Sequence, residues 1–357
     1  MRKRRDRKET GRNGVRDIAR LAGVSPATVS RVLNQSASVN PETRARIQAV
    51  LDSVNYVRDG VARSLTSRRS GSVAVIVPAI GNSVYSDAVD AIERRLQLSR
   101  YHLLTASSGY DPRREYELAR TLIEHGVDGL ILVGNDHLPE LYDLLNRSNV
   151  PAIQTFTDDP TSRLPCVGFD NDGPVRELVK FVVDLGHRDF AVLHSPIRNN
   201  DRIATRLKAI LAALDDRGIS VPSSRIIEAG YTVAEGRAGM RALLSGPREF
   251  TAVACSGDVL AVGAVIEARS VGIEIPGDLS ITGFHDYDMA AQIEPPLTTV
   301  HAPVREMSIA ATEYLLSSIS GQNPPKFRQL PTALVVRKSA GPARAEAPSP
   351  RRTGAAE

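Results

Sequence analysis

From Ser72 onward, short apolar runs alternate with stretches of helical pattern, and this alternation limits the possible folds more than any other feature of the sequence. The runs read VAVIVP, YHLLTA, VDGLILV, VPAIQTF, DFAVLH, FTAVACS and DLSITGF. Strands that alternate with helices predict an α/β fold of parallel sheets covered by helices on both faces. About a dozen strands are too many for one compact doubly wound sheet. We therefore expect two doubly wound subdomains with a ligand site between them or at their strand ends.

The charged residues are unevenly distributed along the chain, with an excess of basic residues at its N-terminal end. Residues 1–69 hold 16 Lys or Arg against 6 Asp or Glu, although the whole chain holds 45 against 41. A basic head on a mildly acidic body is typical of a module that binds a polyanion, of which double-stranded DNA is the first candidate.

Other global features exclude several classes of protein. No apolar run is long enough to span a bilayer, and the basic start MRKRRDRKET is not followed by the apolar segment of a secretory signal. Cys166 and Cys255 are far apart and have no metal-binding or redox spacing. We expect a cytoplasmic protein with two free thiols, no cofactor and no metal site.

The stretch VRDIARLAGVSPATVSRVLN, starting at Val15, predicts a helix-turn-helix. Ile18, Leu21 and Ala22 form an apolar stripe on the first helix, which ends near a glycine. The second helix begins with a serine cap and a proline, and its apolar residues Val29, Val32 and Leu33 share one face. A third helix starts at Pro41 after the cap Asn40 and packs on this pair through Ile47, Val50, Leu51 and Val54.

These patterns predict the following boundaries. We expect a disordered basic tail at 1–13, a helix-turn-helix domain at 14–57, a hinge helix and linker at 58–70, a core at 71–340 and a disordered tail at 341–357. Within the core, the first subdomain is expected at about 71–168 and 300–323, and the second at about 169–299 and 324–340. The hinge helix is too short to persist alone in water, so it should order only when something docks against it.

Several motifs together resemble the lactose/galactose repressor family of bacterial transcription regulators. They are DIARLAGVSPATVSRVLN, VARSL, VDGLILV, LGHRDFAVL, ITGF and PPLTTV, which occur in the order and spacing of that family from about Val15 to Ala340. The resemblance implies a homodimer whose heads bind a pseudo-palindromic operator as a repressor. It also implies an effector-binding core like a periplasmic sugar-binding protein.

The resemblance also assigns the DNA-contacting residues. Pro26, Ala27 and Arg31 match the base-reading positions, and Ser25, Thr28, Ser30 and Asn34 match positions that touch phosphates or nearby base edges. Proline and alanine side chains donate no hydrogen bond, so base discrimination should depend on Arg31, which can bind guanine O6 and N7 together.

The hinge carries the second predicted DNA contact. Its helix would place Val61, Ala62 and Leu65 against the minor groove, and Leu65 matches the leucine that the family inserts at the central step, which kinks the duplex. Many family members have Pro-Asn where this chain has Arg58 and Asp59, and the adjacent Gly60 weakens the hinge helix further.

The effector-binding residues are likewise implied by position. They are Ser83, Val84, Tyr85, Asp170, Arg206, Tyr231, Asp258 and His285, with Asp286 as an alternative to His285. An arginine, carboxylates and an aromatic ring suit a polyhydroxylated ligand, most simply a sugar or sugar derivative. The family commonly has Asp at the position of His285, so either His285 makes this contact or Asp286 moves into it. Gly257 stands where the family usually has Asn.

No nucleophile-elbow, phosphate-loop or zinc-protease motif is present, so an enzyme is not expected. Two alternatives to a sugar-controlled repressor remain open. The effector could also be a nucleoside or purine, and the core alone would suit a sugar-binding protein without DNA function. The residues do not decide whether an effector induces or co-represses.

Overall fold

The computed structural model describes residues 14–33, 38–56, 69–81, 83–246 and 248–344. The chain divides into two compact units, 1–68 and 69–357. Several predicted features lie outside the described residues: the basic tail at 1–13, Asn34, and the hinge residues Val61, Ala62 and Leu65.

The first unit contains three helices, α1 (Val15–Leu21), α2 (Pro26–Leu33) and α3 (Pro41–Ser53). The caps predicted for the last two are present. The Ser25 hydroxyl accepts a hydrogen bond from the Thr28 amide at 3.2 Å, and the Asn40 side chain accepts one from the Glu42 amide at 2.9 Å. These caps satisfy amides that have no partner inside the helix, which fixes where each helix begins.

The three helices pack around one small apolar core. Its buried members are Ile18, Ala19, Ala22, Val29, Val32, Val39, Ile47 and Leu51. Leu21 was expected in this core but is 56% exposed. The small side chains of Ala19 and Ala22 let neighbouring elements approach that face of α1 closely, so the buried stripe turns away from Leu21.

The second unit alternates strands and helices along its whole length. Its elements are β1 (Ser72–Val77), α4 (Ser83–Gln97), β2 (His102–Ser107), α5 (Pro112–Glu124), β3 (Gly129–Val133), α6 (Pro139–Ser148), β4 (Ala152–Thr155), β5 (Cys166–Phe169), α7 (Gly173–Asp184), β6 (Phe190–His194), α8 (Asp201–Asp215), β7 (Ile226–Glu228), α9 (Val233–Leu243), β8 (Ala252–Cys255), α10 (Asp258–Ser270), β9 (Ser280–Thr282), α11 (Asp288–Gln292), β10 (Thr299–His301), α12 (Val304–Ile319), β11 (Phe327–Leu330) and β12 (Ala333–Val335).

Two parallel sheets organise this unit and confirm the expected α/β fold. The first has the order β11-β5-β4-β3-β1-β2 and the second β7-β6-β8-β9. All strand pairs within the two sheets are parallel. The buried central strands, such as β1, β3 and β6, are almost uniformly apolar because helices cover both of their faces.

The return crossing between the subdomains differs from the prediction. The second subdomain was expected to resume at 324, but β11 pairs with β5 of the first sheet from Phe327↔Cys166 to Leu330↔Phe169. The edge of β5 needs a hydrogen-bonding partner, and the Cys166 amide donates to the Lys326 carbonyl at 2.7 Å. The chain therefore returns only after Leu330, where β12 pairs antiparallel with β10.

Both ends of the core extend beyond the expected limits. Residues 341–344 were assigned to the disordered tail, but the His187 ring contacts the Gly341 carbonyl at 3.0 Å and the Ala343 amide donates to the Leu185 carbonyl at 2.9 Å. At the other end, the Asp128 carboxylate accepts from the Ser70 and Gly71 amides at 2.9 and 2.8 Å. Hydrogen bonds to the core thus fix both segments. Among the described residues, no helix has the length and apolar character to cross a membrane.

Candidate DNA-contacting helix and effector cleft

Helix α2 has one buried and one exposed face. Val29 and Val32 are buried in the core of the head, whereas Ser25, Pro26, Ala27 and Arg31 are exposed and Thr28 and Ser30 are half-buried. Ala27, Ser30 and Arg31 therefore lie on the side of α2 opposite the buried residues, and Ser25, Pro26 and Thr28 lie at its N-terminal end.

Arg31 is the only cation on this helix, and it forms no hydrogen bond or ion pair with any of the residues that the structure describes. By contrast, Arg20 on α1 forms an ion pair with Asp17 at 3.1 Å. Within the described residues, nothing therefore competes for the Arg31 guanidinium with an external acceptor such as a base edge or a phosphate.

A cavity lies in the second unit where the carboxyl ends of the two parallel sheets meet, with about 480 Å³ of empty space that is partly open to solvent. Ligands of open α/β sheets bind at such strand ends. Its walls come from the loops and helix starts that follow β1, β2, β4, β6, β7, β8 and β9, and they are formed by Val84, Tyr85, Tyr110, Phe156, Ser195, Asn200, Arg202, Ile203, Arg206, Tyr231, Ser256, Gly257, Val259, Leu260, His285 and Tyr287.

Arg206, on α8, is the largest fully buried side chain of this region, with 2% of its surface exposed. Its guanidinium donates from Nε to Asn171 Oδ1 at 2.9 Å and from Nη1 to the Ser256 carbonyl at 3.1 Å. It also lies over the Phe284 ring at 3.7 Å. Burial lowers the pKa of Arg206 to about 9, so the side chain is still charged at neutral pH.

His285 is the third hydrogen-bond partner of the Arg206 guanidinium. Arg206 Nη2 lies 3.1 Å from His285 Nε2, and because an arginine only donates, the histidine nitrogen must accept. Burial, followed by the nearby Arg206 charge, holds the pKa of His285 well below its usual value. His285 is therefore neutral, carries its proton on Nδ1 and stacks on Tyr287 with ring centroids 5.3 Å apart.

Direct contacts join the two subdomains across the cleft. From the second subdomain, Asp201 accepts a hydrogen bond from the Asn135 amide at 3.0 Å, and Asn199 donates to the Tyr110 carbonyl at 3.0 Å. Asp201 also pairs with Arg202 at 2.6 Å. The rings of Tyr110 and Tyr231 stack in parallel with centroids 4.4 Å apart. The subdomains are thus in contact around the cavity.

Comparison with known proteins agrees with this architecture. Residues 15–59 match the model of the bacterial regulatory proteins of the lacI family, and residues 179–340 match a periplasmic binding protein-like domain. The HTH-type transcriptional regulator DegA of Bacillus subtilis (strain 168) is 31% identical over 333 residues, which cover 91% of this chain and 97% of DegA. The chain belongs to the lacI family. It is a DNA-binding transcriptional repressor with a periplasmic-binding-protein-like effector domain.

Further relatives of this lacI-family repressor have similar lengths. The HTH-type transcriptional regulator GntR of Escherichia coli (strain K12) is 30% identical over 313 residues, or 87% of this chain and 92% of GntR. The crystal structure of the lac repressor dimer bound to operator and the anti-inducer ONPF has a TM-score of 0.80 at 25% identity and covers 92% of this chain and 99% of that chain. The complex of the transcriptional regulator CelR with cellobiose has a TM-score of 0.67 at 26% identity, over 92% and 100% of the two chains.

Five of the effector residues expected from sequence line the repressor's cavity: Val84, Tyr85, Arg206, Tyr231 and His285. Of the two alternatives left open by the sequence, His285 lines the cavity and Asp286 does not. Both residues have left-handed backbone angles, with φ of 116° and 61°. The turn directs Asp286 away from the cavity, where its carboxylate pairs with Arg337 at 2.7 Å and His301 at 3.2 Å.

The remaining predicted effector residues are not among the side chains that line the cavity. Asp170 accepts hydrogen bonds from the Asp172 and Gly173 amides at 2.7 and 3.1 Å and so shapes the start of α7. Asp258 accepts from the Thr299 hydroxyl at 2.6 Å and from the Tyr287 amide at 3.0 Å. Ser83 is exposed at the first position of α4. None of the three lines the cavity in this structure, and their contact with a ligand stays a prediction.

Several cavity residues were missed from the sequence. Arg202 lies one helical turn before Arg206, and Tyr110 and Tyr287 follow β2 and β9 within a few residues. The position of a residue just beyond a strand was the available signal. Asn171, which orients Arg206, is buried behind the wall and carried no such signal.

Proposed function

We propose that this repressor binds a pseudo-palindromic operator as a homodimer and that a small molecule in the cleft controls its affinity for DNA. The observation that carries the proposal is a cavity between two subdomains of a lacI-family core, with Arg202, Arg206 and His285 in its walls. An effector can change DNA affinity only if it binds two states of the core differently, and a cavity walled by both subdomains allows this.

Arg31 is the proposed main reader of the operator. It is exposed on α2 beside Pro26 and Ala27, whose side chains cannot donate hydrogen bonds, and its guanidinium has no partner in the described part of the head. A bidentate contact to guanine would supply discrimination, while Ala27 could contact a thymine methyl group. Ser25, Thr28, Ser30 and Asn34 would bind the backbone or nearby base edges. Val61, Ala62 and Leu65 remain predicted minor-groove contacts.

Two observations support the homodimer. The first sheet ends in β2, an edge strand with a largely exposed face that includes Leu104, 39% exposed, and the nearby Leu98 is 82% exposed. An exposed apolar edge strand is a template for pairing with a second chain. The similar lac repressor structure is a dimer on operator. We therefore propose that β2 and its neighbourhood form part of the subunit interface.

The proposed effector is a hydroxylated small molecule, most simply a sugar or sugar derivative. Arg202, Arg206 and Asn200 offer donors, and Tyr85, Tyr110, Tyr231 and Tyr287 offer hydroxyls and aromatic faces that suit the apolar side of a sugar ring. The similar CelR structure holds cellobiose. A nucleoside or purine is the second candidate, because the parallel Tyr110 and Tyr231 rings could separate to hold a planar base.

The test begins with operator selection from random duplexes by the full-length protein. A two-fold symmetric sequence is the expected result. Deleting 1–68 should abolish DNA binding while leaving the core folded, because the core forms its own compact unit. Selection of no duplex by the full-length protein would contradict the proposal.

Effector control is then tested by release of the selected operator. Sugars, sugar derivatives and nucleosides are added to the complex, and any active compound is compared on wild type and on Arg206→Met. The variant should still bind operator but should not respond. An equal response in the variant would place the effector outside the cleft.

A further inference from the structure

The cavity has an unusual charge balance. Its lining side chains include two arginines, one neutral histidine and four tyrosines, but no Asp or Glu among the residues described. One of the two positive charges is compensated, because Arg202 pairs with Asp201 at 2.6 Å. The charge of Arg206 is not.

Every described acceptor that contacts Arg206 is neutral. The guanidinium donates to an amide oxygen of Asn171, to the main-chain carbonyl of Ser256 and to the unprotonated ring nitrogen of His285. Within the described chain, no carboxylate lies within ion-pair distance of it. A buried charge without an opposite charge is costly, and such charges are normally paired.

The two carboxylates near this part of the cavity, Asp258 and Asp286, bind other groups of the protein. Asp258 lies at the start of α10, and its two oxygens accept from the Thr299 hydroxyl and the Tyr287 amide. Asp286 pairs with Arg337 and His301. Neither lines the cavity, so neither presents a carboxylate to a ligand hydroxyl.

We propose that the effector is an anion, a hydroxylated molecule whose carboxylate or phosphate group pairs with Arg206. This inference rests on the proposed effector control of the repressor and names the chemical class that the cleft takes. The arginine fork matches both groups, and charge-assisted bonds to it are stronger than those from neutral hydroxyls. Asn200 and the tyrosine hydroxyls are left for the hydroxyl groups of the ligand.

The experiment uses matched probes on the full-length protein. They are glucose, glucuronate and glucose 6-phosphate, then ribose, ribonate and ribose 5-phosphate, with inorganic phosphate as the simplest anion, all at constant ionic strength. Thermal unfolding and calorimetric titration measure binding. An anionic member should bind at least about tenfold more tightly than its neutral parent, and the pattern distinguishes carboxylate from phosphate.

Two variants assign the preference to the cleft. Arg206→Met should abolish the thermal shift caused by anions. His285→Asp would place a carboxylate against Arg206 and should raise the melting temperature of the unliganded protein while removing the preference for anions. Arg147→Met, which removes an exposed arginine from α6, should behave as wild type.

Two results would overturn the inference: no anionic probe raises the melting temperature, or the preference for anions survives in His285→Asp. A different result would contradict the proposed effector control: an anion binds in an Arg206-dependent way, but the affinity for the selected operator does not change.

Discussion

At the scale of single residues, the contact between Arg206 and His285 determines the chemistry of the cleft. The two side chains are buried together, and burial, followed by the Arg206 charge, holds the pKa of His285 well below its usual value, so the neutral ring accepts from Arg206 at Nε2. A carboxylate in place of the histidine would cancel the arginine charge within the protein. The neutral ring leaves that charge for a ligand. The presence of histidine rather than aspartate at position 285 therefore sets both the local protonation state and the proposed effector class.

This pair predicts how stability depends on pH. The pKa of His285 lies well below 6.5 in the folded protein, so the unfolded chain binds a proton there that the folded protein does not. The contribution of His285 should therefore be constant above about pH 6.5 and decrease as the pH falls below it, by up to about 1.4 kcal/mol per unit. Chemical denaturation between pH 5 and 8 measures this. In His285→Gln, the free energy of unfolding should lose this part of the slope; an unchanged slope would refute the prediction.

The second prediction at this scale concerns Arg31. Arg31→Lys keeps the charge but cannot bind guanine O6 and N7 in the same rigid, bidentate way, so operator discrimination should fall by about 1–3 kcal/mol per half-site. Nonspecific DNA binding and its salt dependence should remain near wild type. Fluorescence anisotropy with the selected operator and a scrambled duplex separates the two quantities. Equal losses on both duplexes would indicate a phosphate contact instead.

At the scale of elements, the end of β3 sets how closely the subdomains approach. Gly134 follows this strand with φ of +85°, and a Cβ there would lie 1.8 Å from Arg202 Nη1. Only glycine combines that backbone angle with space for the arginine. The neighbouring Asn135 amide donates to Asp201, so the same turn also provides a bond across the cleft.

Gly134→Ala should therefore open the cleft. The added methyl group displaces Arg202 and Asp201, so we expect at least about tenfold weaker effector binding and a loss of about 1–3 kcal/mol of stability. Gly126→Ala is the matched control, because its φ is +80° but nothing lies within 4 Å of the new Cβ. Calorimetry and small-angle scattering measure affinity and closure. If both variants lose affinity equally, backbone strain rather than the contact with Arg202 is responsible.

How much the sequence predicts also depends on the type of element. Strand and helix alternation predicted both parallel sheets, and the caps Ser25 and Asn40 predicted where two helices begin, because these signals are local. The pairing of β11 with β5 was missed because it joins segments far apart in the chain. In the cleft, the resemblance to the repressor family assigned Arg206 and Tyr231. It did not reveal that Asp258 hydrogen-bonds behind the wall, because side-chain direction depends on the packed loop around Tyr287.

At the scale of the whole molecule, the proposed homodimer would bind one operator with two heads. The edge strand β2 is the proposed subunit contact, because its backbone edge has no further strand in the described sheet and Leu104 is exposed on it. Joining two heads turns the second binding event into an intramolecular one, which raises affinity without new contacts. Operator affinity should therefore depend on this strand although it carries no predicted DNA-contacting residue.

Leu104→Lys tests this dependence. A charge on the edge strand should prevent pairing between the two copies, so the variant should sediment as a monomer and bind the selected operator about 100-fold or more weakly than wild type. Its affinity for an isolated half-site should remain unchanged. Val271→Lys is the control, since it places the same charge at a residue 60% exposed in the second subdomain and should leave the dimer intact. Analytical ultracentrifugation and DNA titration give the two readouts. A Leu104→Lys protein that stays dimeric would place the interface elsewhere, and a monomer with full operator affinity would show that one head suffices.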